Sequence, residues 1–317
     1  MDKYRRLCCN NREELYVLQK LIRKIDNLQR RFRLSAFTFA VIKKYGEDDA
    51  GRQAALLTYY AFLSLFPLLL ILTTLTEYLN GSHPELQADI VKGATNYIPV
   101  LGTQLAAHVH TLQKNGLALL AGILFTFYGA HGVADAFQRG VQHLWKIPPS
   151  QRDGFPKSTL KSLSIILIAG LGFIVASISV AVAASTGHGW VFQLMSVIIN
   201  LIIWSGLFIL LLNISLPRHV PFKETRAAAL TAAIGLVILQ VIGGYAVSHE
   251  LKRLDALYSY FALALGLLFW IYLQVQVLFY SIEIAAVRSR KLWPRSLSGH
   301  NLTDADRRAK TDLLTRY

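Results

Sequence analysis

The amino-acid sequence predicts an all-α membrane protein, a bundle of six transmembrane helices preceded by an N-terminal amphipathic helix on the cytoplasmic or interfacial side. Hydrophobic residues make up 53% of the 317 residues and charged residues only 16%, whereas soluble domains carry about 25% charged residues. The stretch 53–76 contains no charged residue and is long enough to cross a hydrocarbon core roughly 30 Å thick. Further apolar runs follow it, and basic residues concentrate in alternate connections between them.

These runs divide the chain into three segments. A basic N-terminal segment covers residues 1–52, a transmembrane domain covers residues 53–290, and a polar cytoplasmic tail covers residues 291–317. The predicted spans are about 53–76, 117–137, 160–184, 191–214, 226–247 and 256–287. The fifth of these has alanine pairs four residues apart, such as Ala228 and Ala232, which predict close helix packing.

The N-terminal segment contains a helical pattern of apolar residues at steps of three and four. They are Leu15, Leu18, Ile22, Ile25, Leu28 and Phe32, and arginines and lysines occupy the opposite side. Because a membrane span follows closely, we expect this helix to lie on an anionic lipid surface, with pairing as a coiled coil as the alternative.

Basic residues set the predicted orientation. With six spans and a cytoplasmic N-terminus, 29 of the 33 Lys and Arg residues fall on the cytoplasmic side, so both termini are predicted to be cytoplasmic. The same distribution explains most of the net charge of +14 as a topology signal and as an attraction to anionic headgroups. A nucleic-acid partner is not needed to explain it.

The first predicted span has a polar and aromatic stripe. Tyr60, Ser64, Pro67, Thr74 and Tyr78 share one helical face, which is expected to turn toward other helices. Proline removes one backbone hydrogen bond from a helix. We therefore expect at this proline either a structural kink in a packed bundle or a hinge beside a cavity.

Two carboxylates lie inside predicted spans, and both lie toward the cytoplasmic side. Asp135 shares a helical face with other polar residues of the second span, and Glu283 does so on the sixth. An ionisable residue within a span is costly and therefore a candidate functional residue. The three polar stripes predict one inward-facing site made of His131, Asp135, Arg139, Glu283, Tyr280, Gln276, Tyr60 and Ser64.

The alternative is a network of salt bridges that only holds the helices together. In that interpretation Asp135 pairs with Arg139 or His131. Glu283 would pair with Arg288 or Arg52.

No pattern in the sequence predicts a cofactor, a metal site or catalysis. His108 and His110 form an HxH pair, but the carboxylate and third histidine of a metal-dependent nuclease motif do not follow. A phosphate-binding GxxxxGK[ST] loop is absent from the sequence. The cytoplasmic connections have no cluster of carboxylates that would support nuclease chemistry, so we expect a protein that is not an enzyme.

Several stretches resemble the YihY/BrkB family of bacterial inner-membrane proteins. They are AALLTYYAFLSLFPLLL in the first span, GVADAFQRGVQHLWKI at the end of the second, and YSYFALALGLLFWIYLQVQVLFYSIEIAA in the sixth. The resemblance covers roughly residues 32–291, although Ser281 and Ile282 stand where family members often have Gly-Ala before the glutamate. It implies a six-helix protein of the bacterial inner membrane, in a family once labelled ribonuclease BN.

We therefore expect a transporter or flippase-like protein that handles a lipid or another envelope molecule. The alternative is a non-catalytic membrane scaffold in envelope maintenance, with the basic N-terminal helix as its binding part. A tRNA-processing ribonuclease is the hypothesis that the residues favour least. The expected partners are the phospholipid membrane and its anionic headgroups, and a homo-oligomer is compatible with the sequence.

Overall fold

The structure is a computed structural model that describes residues 26, 27, 29, 31–80, 116–185, 190–217, 220–250, 256–297 and 302–314. Most of the predicted amphipathic helix at residues 15–32 lies outside the described residues. So does the connection that carries His108 and His110.

The described residues form eight α-helices and no strand, which confirms the all-α prediction. A single turn of 3₁₀-helix, Pro149–Gln151, lies between the third and fourth helices. The α-helices are α1 (Arg33–Glu47), α2 (Ala50–Asn80), α3 (Gly116–Leu144), α4 (Lys157–Ser185), α5 (Trp190–Ser215), α6 (Phe222–Glu250), α7 (Ala256–Ser289) and α8 (Asp304–Leu314).

Six long helices, α2 to α7, pack in a closed ring. Each helix packs on the next one in the chain, and α7 returns to pack on α2. Helix α3 also contacts α5 and α7, so it ties the two sides of the ring together. Helix α1 packs against α7 and α2. We call the end of the ring where α2 begins and where α3 and α7 end the basal end.

Four of these helices are long and apolar enough to cross a membrane. Their apolar segments are Lys157–Ala176, Leu194–Ser215, Phe222–Gly243 and Ala264–Ser289. The other two predicted spans, 53–76 and 117–137, lie within α2 and α3, where many side chains are outside the described residues.

The outer surfaces of α4 and α5 are apolar. Exposed residues there include Leu163, Leu167, Leu171, Ile174, Ile178, Leu194, Ile198 and Ile202. A soluble monomer rarely exposes so large a continuous apolar surface, whereas a protein in contact with lipid chains does.

Small residues let the helices approach closely. A Cβ atom built on Gly129 of α3 would lie 2.9 Å from Cβ and 3.1 Å from Cα of Ser64 on α2, and one built on Gly132 would lie 2.9 Å from the Tyr60 ring. On α6, Ala228 and Ala232 are fully buried, as the alanine pattern predicts.

We expect Gly129→Ala to destabilise the protein by about 1–3 kcal/mol, because the added methyl group would overlap Ser64 and its backbone. Gly206→Ala on α5 is the matched control. A Cβ there meets nothing within 4 Å, and alanine favours a helix over glycine by about 1 kcal/mol. Thermal unfolding in detergent should therefore show a lower melting temperature for the first variant only. Equal stability of Gly129→Ala and the wild type would contradict the close α2–α3 contact.

Candidate functional site

Four charged side chains meet at the basal end of the ring. The ammonium group of Lys44, on α1, donates to the carboxylate of Asp48 and to Oε2 of Glu283 on α7, the latter at 2.6 Å. Lys146, just after α3, places its Nζ 3.3 Å from Oδ1 of Asp48. Lys44, Asp48 and Glu283 are buried, so two acidic and two basic groups neutralise each other away from water. We call these four residues the buried charge cluster.

The sequence of α1 explains why a lysine lies inside. The buried residues of this helix are Ala36, Ala40, Val41, Lys44 and Tyr45, which recur at steps of three and four. Lys44 therefore continues the stripe that faces α7. The neighbouring Tyr45 ring stacks on the Tyr280 ring of α7, with centroids 4.0 Å apart and planes 11° from parallel.

The backbone at Lys146 is adapted to bring its side chain to the cluster. Helix α3 ends with a hydrogen bond from the Ile147 N–H to the Gln142 carbonyl at 2.9 Å, and Lys146 has a left-handed φ of 56°. Glycine is the usual residue at this position of a helix end, because other residues resist positive φ. A lysine at this position instead supplies an ammonium group to Asp48.

The charges in the cluster determine its protonation states. Burial alone would lower the pKa of Lys44, but the negative charges of Glu283 and Asp48 raise it above the ordinary lysine value. Burial alone would raise the pKa of Asp48, but Lys44 and Lys146 lower it below the ordinary aspartate value. Lys44 is therefore positive and Asp48 negative throughout the physiological pH range.

Among the buried oxygens at the cluster that have no hydrogen-bond partner in the described part of the chain, two also have no ion-pair partner. They are Oε1 of Glu283 and the hydroxyl of Tyr45. Burial, together with nearby Tyr272, Tyr280 and Glu283, raises the pKa of Tyr45, so its hydroxyl stays protonated. A buried acceptor and a buried donor without partners are unusual in a packed interior, where such groups are normally satisfied.

A second ionic network holds the C-terminal segment on α1. Arg295 donates two hydrogen bonds to the carboxylate of Glu47, at 2.7 and 2.8 Å, and a third to Asp306 at 3.0 Å. Asp306 also accepts from the N–H of Ser296 at 2.9 Å and from the hydroxyl of Thr303, which caps α8, at 2.8 Å. These bonds attach the C-terminal segment to the end of α1.

The predicted carboxylates have different surroundings. Asp135 pairs with Arg139 on the same helix at 2.9 Å, as the salt-bridge alternative predicted, and this pair is partly exposed. The predicted partners of Glu283 were wrong, because its partner is Lys44. Arg52 pairs with Asp49 at 2.6 Å instead. Because α1 packs beside α7, its buried Lys44 pairs with Glu283 in place of the predicted Arg288 or Arg52.

The other predicted residues lie on the same three helices. Tyr60 and Ser64 pack against the glycines of α3, and Tyr280 contacts Tyr45. Gln276 on α7 and His131 on α3 are half-buried. Pro67 lies within α2, and its side chain is outside the described residues.

Lys44, Asp48 and Lys146 were absent from the predicted site. Lys44 carried a usable signal, because it falls on the same face as Ala36, Ala40 and Val41. No such signal marks Lys146, which reaches Asp48 only because α3 ends beside the α1–α2 turn. The described part of the chain also has no group of three or more His, Cys, Asp or Glu residues placed to hold a metal ion.

Comparisons with known proteins identify similar sequences. The model of a family described as virulence factor BrkB matches residues 41–303. The chain is 24% identical over 286 residues to a UPF0761 membrane protein of Psychrobacter sp. (strain PRwf-1), covering 84% of this chain and 51% of that protein. It therefore spans about half the length of that relative. No solved structure matches the chain.

Two further relatives are matched over most of their length. The putative ribonuclease-like protein YfkH of Bacillus subtilis (strain 168) is 24% identical over 282 residues, covering 82% of this chain and 98% of that protein. The inner membrane protein YhjD of Escherichia coli (strain K12) is 23% identical over 273 residues, covering 78% of this chain and 80% of that protein.

Lys44→Met should destabilise the protein by about 3–5 kcal/mol, because it leaves Glu283 buried without a compensating charge. The double variant Lys44→Met/Glu283→Met removes that charge and should recover part of the loss. Asp153→Asn is the control, since it breaks the more exposed Asp153–Lys161 pair and should change stability by less than about 0.5 kcal/mol. Unfolding in denaturing detergent measures all three, and a Lys44→Met variant as stable as the control would contradict the buried pair.

Low pH should release the C-terminal segment from α1. Burial alone would raise the pKa of Asp306, but hydrogen bonds from Ser296, Thr303 and Arg295 hold it well below the ordinary aspartate value. Its stabilising contribution is therefore complete at neutral pH and declines as the pH falls below that ordinary value, about 3.9.

Hydrogen exchange of the α8 amides, corrected for the intrinsic pH dependence, measures this release. Asp306→Asn should lower protection already at pH 7 and remove further loss at acidic pH. The control is Asp304→Asn, which alters an exposed carboxylate of the same helix. Equal protection in Asp306→Asn and the control would count against the proposed role of Asp306.

Proposed function

This chain belongs to the BrkB family of membrane proteins. From that premise we propose that it is a flippase-like transporter with six membrane spans, which moves a lipid or another amphipathic envelope molecule. The six-span count is supported by the six long helices of the ring. A location in the bacterial inner membrane is supported by the name of the E. coli relative. Cytoplasmic termini, and a cytoplasmic basal end, are supported by the distribution of basic residues.

The buried charge cluster is the observation that carries this proposal. Replacing a buried ion pair by well-packed apolar residues is often neutral or stabilising, so a static bundle gains little from such a cluster. A transporter, by contrast, needs buried polar groups that can change partners as helices separate. The cluster joins α1, the end of α3 and α7 at one end of the ring, where such a separation would open the interior.

The pairing within the cluster permits this exchange. Lys44 has two carboxylate partners, and Asp48 has two ammonium partners. If α7 moved away from α1, Lys44 would keep Asp48, and the only charge left without a partner would be Glu283. Its second oxygen already lacks a partner among the described residues. Water entering the opening, or a proton, would then satisfy this carboxylate.

We propose that this chain does not have the ribonuclease activity that the name of the Bacillus relative suggests. Hydrolysis of RNA by metal ions needs clustered ligands that hold the metal beside the scissile phosphate. The carboxylates at the basal end are not arranged as metal ligands, because each one in the cluster is neutralised by a lysine. We therefore propose a protein that is not an enzyme.

Movement of a labelled lipid between leaflets tests the proposal. The purified full chain is reconstituted into liposomes that contain a fluorescent anionic phospholipid, and a membrane-impermeant quencher reports the lipid in the outer leaflet. Wild type should move the lipid faster than protein-free liposomes. Glu283→Gln, which keeps the side-chain shape, should slow the movement at least about tenfold, as a barrier increase of roughly 1.4 kcal/mol would.

The matched control is Asp153→Asn, which neutralises a carboxylate outside the cluster and should leave the rate unchanged. Absence of lipid movement in the wild type would contradict the lipid transporter and favour a membrane scaffold. An unchanged rate of lipid movement in Glu283→Gln would show that the cluster has only a structural role.

A further inference from the structure

Arg52 and Arg139 are two of the exposed arginines that ring helices carry at the basal end. The side chain of Arg52, near the start of α2, is 73% exposed, and that of Arg139, near the end of α3, is 68% exposed. Each has a carboxylate partner on its own chain segment, Asp49 or Asp135. A guanidinium has five N–H donors, so these pairings orient each arginine and leave donors for another acceptor.

The helix register places the two arginines at the same height. Helices α2 and α3 run antiparallel, with Tyr60 opposite Gly132. Arg52 lies eight residues from Tyr60 toward the basal end of α2. Gly140, the neighbour of Arg139, lies eight residues from Gly132 toward the same end of α3. The step is about 12 Å on both helices. Because glycine contacts bring these helices together, their axes are separated by about 8 Å, the lower end of the usual range.

The two arginines also lie on the same side of the helix pair. On α2, Arg52 shares an exposed face with Leu56, Tyr59 and Leu63, and this face lies roughly 90° from the contact with α3, at 100° per residue. On α3, Arg139 shares a face with Leu124, Tyr128 and Asp135, rotated by roughly 80° from the contact with α2 in the same sense. In an antiparallel pair of right-handed helices, the same sense of rotation leads to the same side.

The resulting surface is charged at one end and apolar along the rest. The exposed residues that continue from the arginines along α2 and α3 are Leu56, Tyr59, Leu63, Leu124 and Tyr128. Guanidinium groups match the geometry of phosphate oxygens and bind them with charge-assisted hydrogen bonds. Exposed leucine and tyrosine side chains in line with them match an acyl chain. The combination has the chemistry of an anionic phospholipid.

We propose that the exposed surface of α2 and α3 binds an anionic phospholipid, with its phosphate on Arg52 and Arg139 and an acyl chain along the apolar stripe. The site rests on the proposed function, because it gives that transporter a substrate class and a place where the substrate enters from the cytoplasmic leaflet. Asp49 and Asp135 are positioning residues in this site, since each pairs with one of the two guanidinium groups.

Lipid binding by the purified full chain tests the site. The detergent-solubilised protein is titrated with phosphatidylglycerol and with zwitterionic phosphatidylcholine, and native mass spectrometry counts the bound lipids. Arg52→Gln/Arg139→Gln should weaken phosphatidylglycerol binding at least about tenfold and remove the preference over phosphatidylcholine. Arg307→Gln/Arg308→Gln is the matched control, because it removes two exposed arginines of α8 and should change neither affinity.

Two further measurements keep the test decisive. Arg52→Lys/Arg139→Lys retains both charges but loses the paired donors, so its binding should be intermediate. Glycerol phosphate, which has the headgroup chemistry without acyl chains, should not displace phosphatidylglycerol at the same concentration. Equal lipid binding in the glutamine variant, with an unchanged melting temperature, would overturn the site, as would displacement by glycerol phosphate.

The site and the proposed function fail in different ways. Arginine-dependent lipid binding by a wild type that moves no lipid would support the site and overturn the transporter. Lipid movement in a protein whose preference for phosphatidylglycerol is the same with and without the two arginines would support the transporter and overturn the site.

Discussion

The arrangement of the basal end depends on the ammonium group of Lys44, which lies between two buried carboxylates. One of them, Asp48, belongs to the turn that joins α1 to α2, and the other, Glu283, belongs to α7. Neither acid is compatible with burial as an unpaired charge. Helix α1 must therefore dock against α7 with its lysine inward. Lys146 completes the neutralisation and ties the end of α3 to the same place.

The same end of the protein uses charge in two different ways. The buried charge cluster is electrically balanced and closed to water, and it joins α1, α7 and the end of α3. A change of ion-pair partners within the cluster would let these helices separate. Arg52 and Arg139 are exposed, and their donors remain available to a phosphate group. A transporter of an anionic lipid needs both features, an exposed site that recognises the headgroup and a closed network that yields when the helices move.

Several features of the fold could be predicted from particular residues. The uncharged runs predict long helices, since only a helix satisfies its backbone groups within one apolar segment. The alanines of α6 predict close packing, and Ala228 and Ala232 are buried as expected. Glu283 could be identified as a candidate because a carboxylate in an apolar helix is costly. Its partner could not, since Lys44 is far away in the sequence and precedes the first predicted span.

The sequence by itself determined that this is an all-helical membrane protein and which residues are unusual for their surroundings, because hydropathy and helical period are local properties. Tertiary structure alone decided which charges meet. Lys44, Asp48 and Lys146 come together because α1 folds back beside α7 and α3 ends next to the α1–α2 turn. It also decided that Arg139 faces outward while Glu283 is enclosed, although both are polar residues near a helix end. Contacts between segments that are far apart in the sequence cause these differences, so the residue pattern of a single helix cannot predict them.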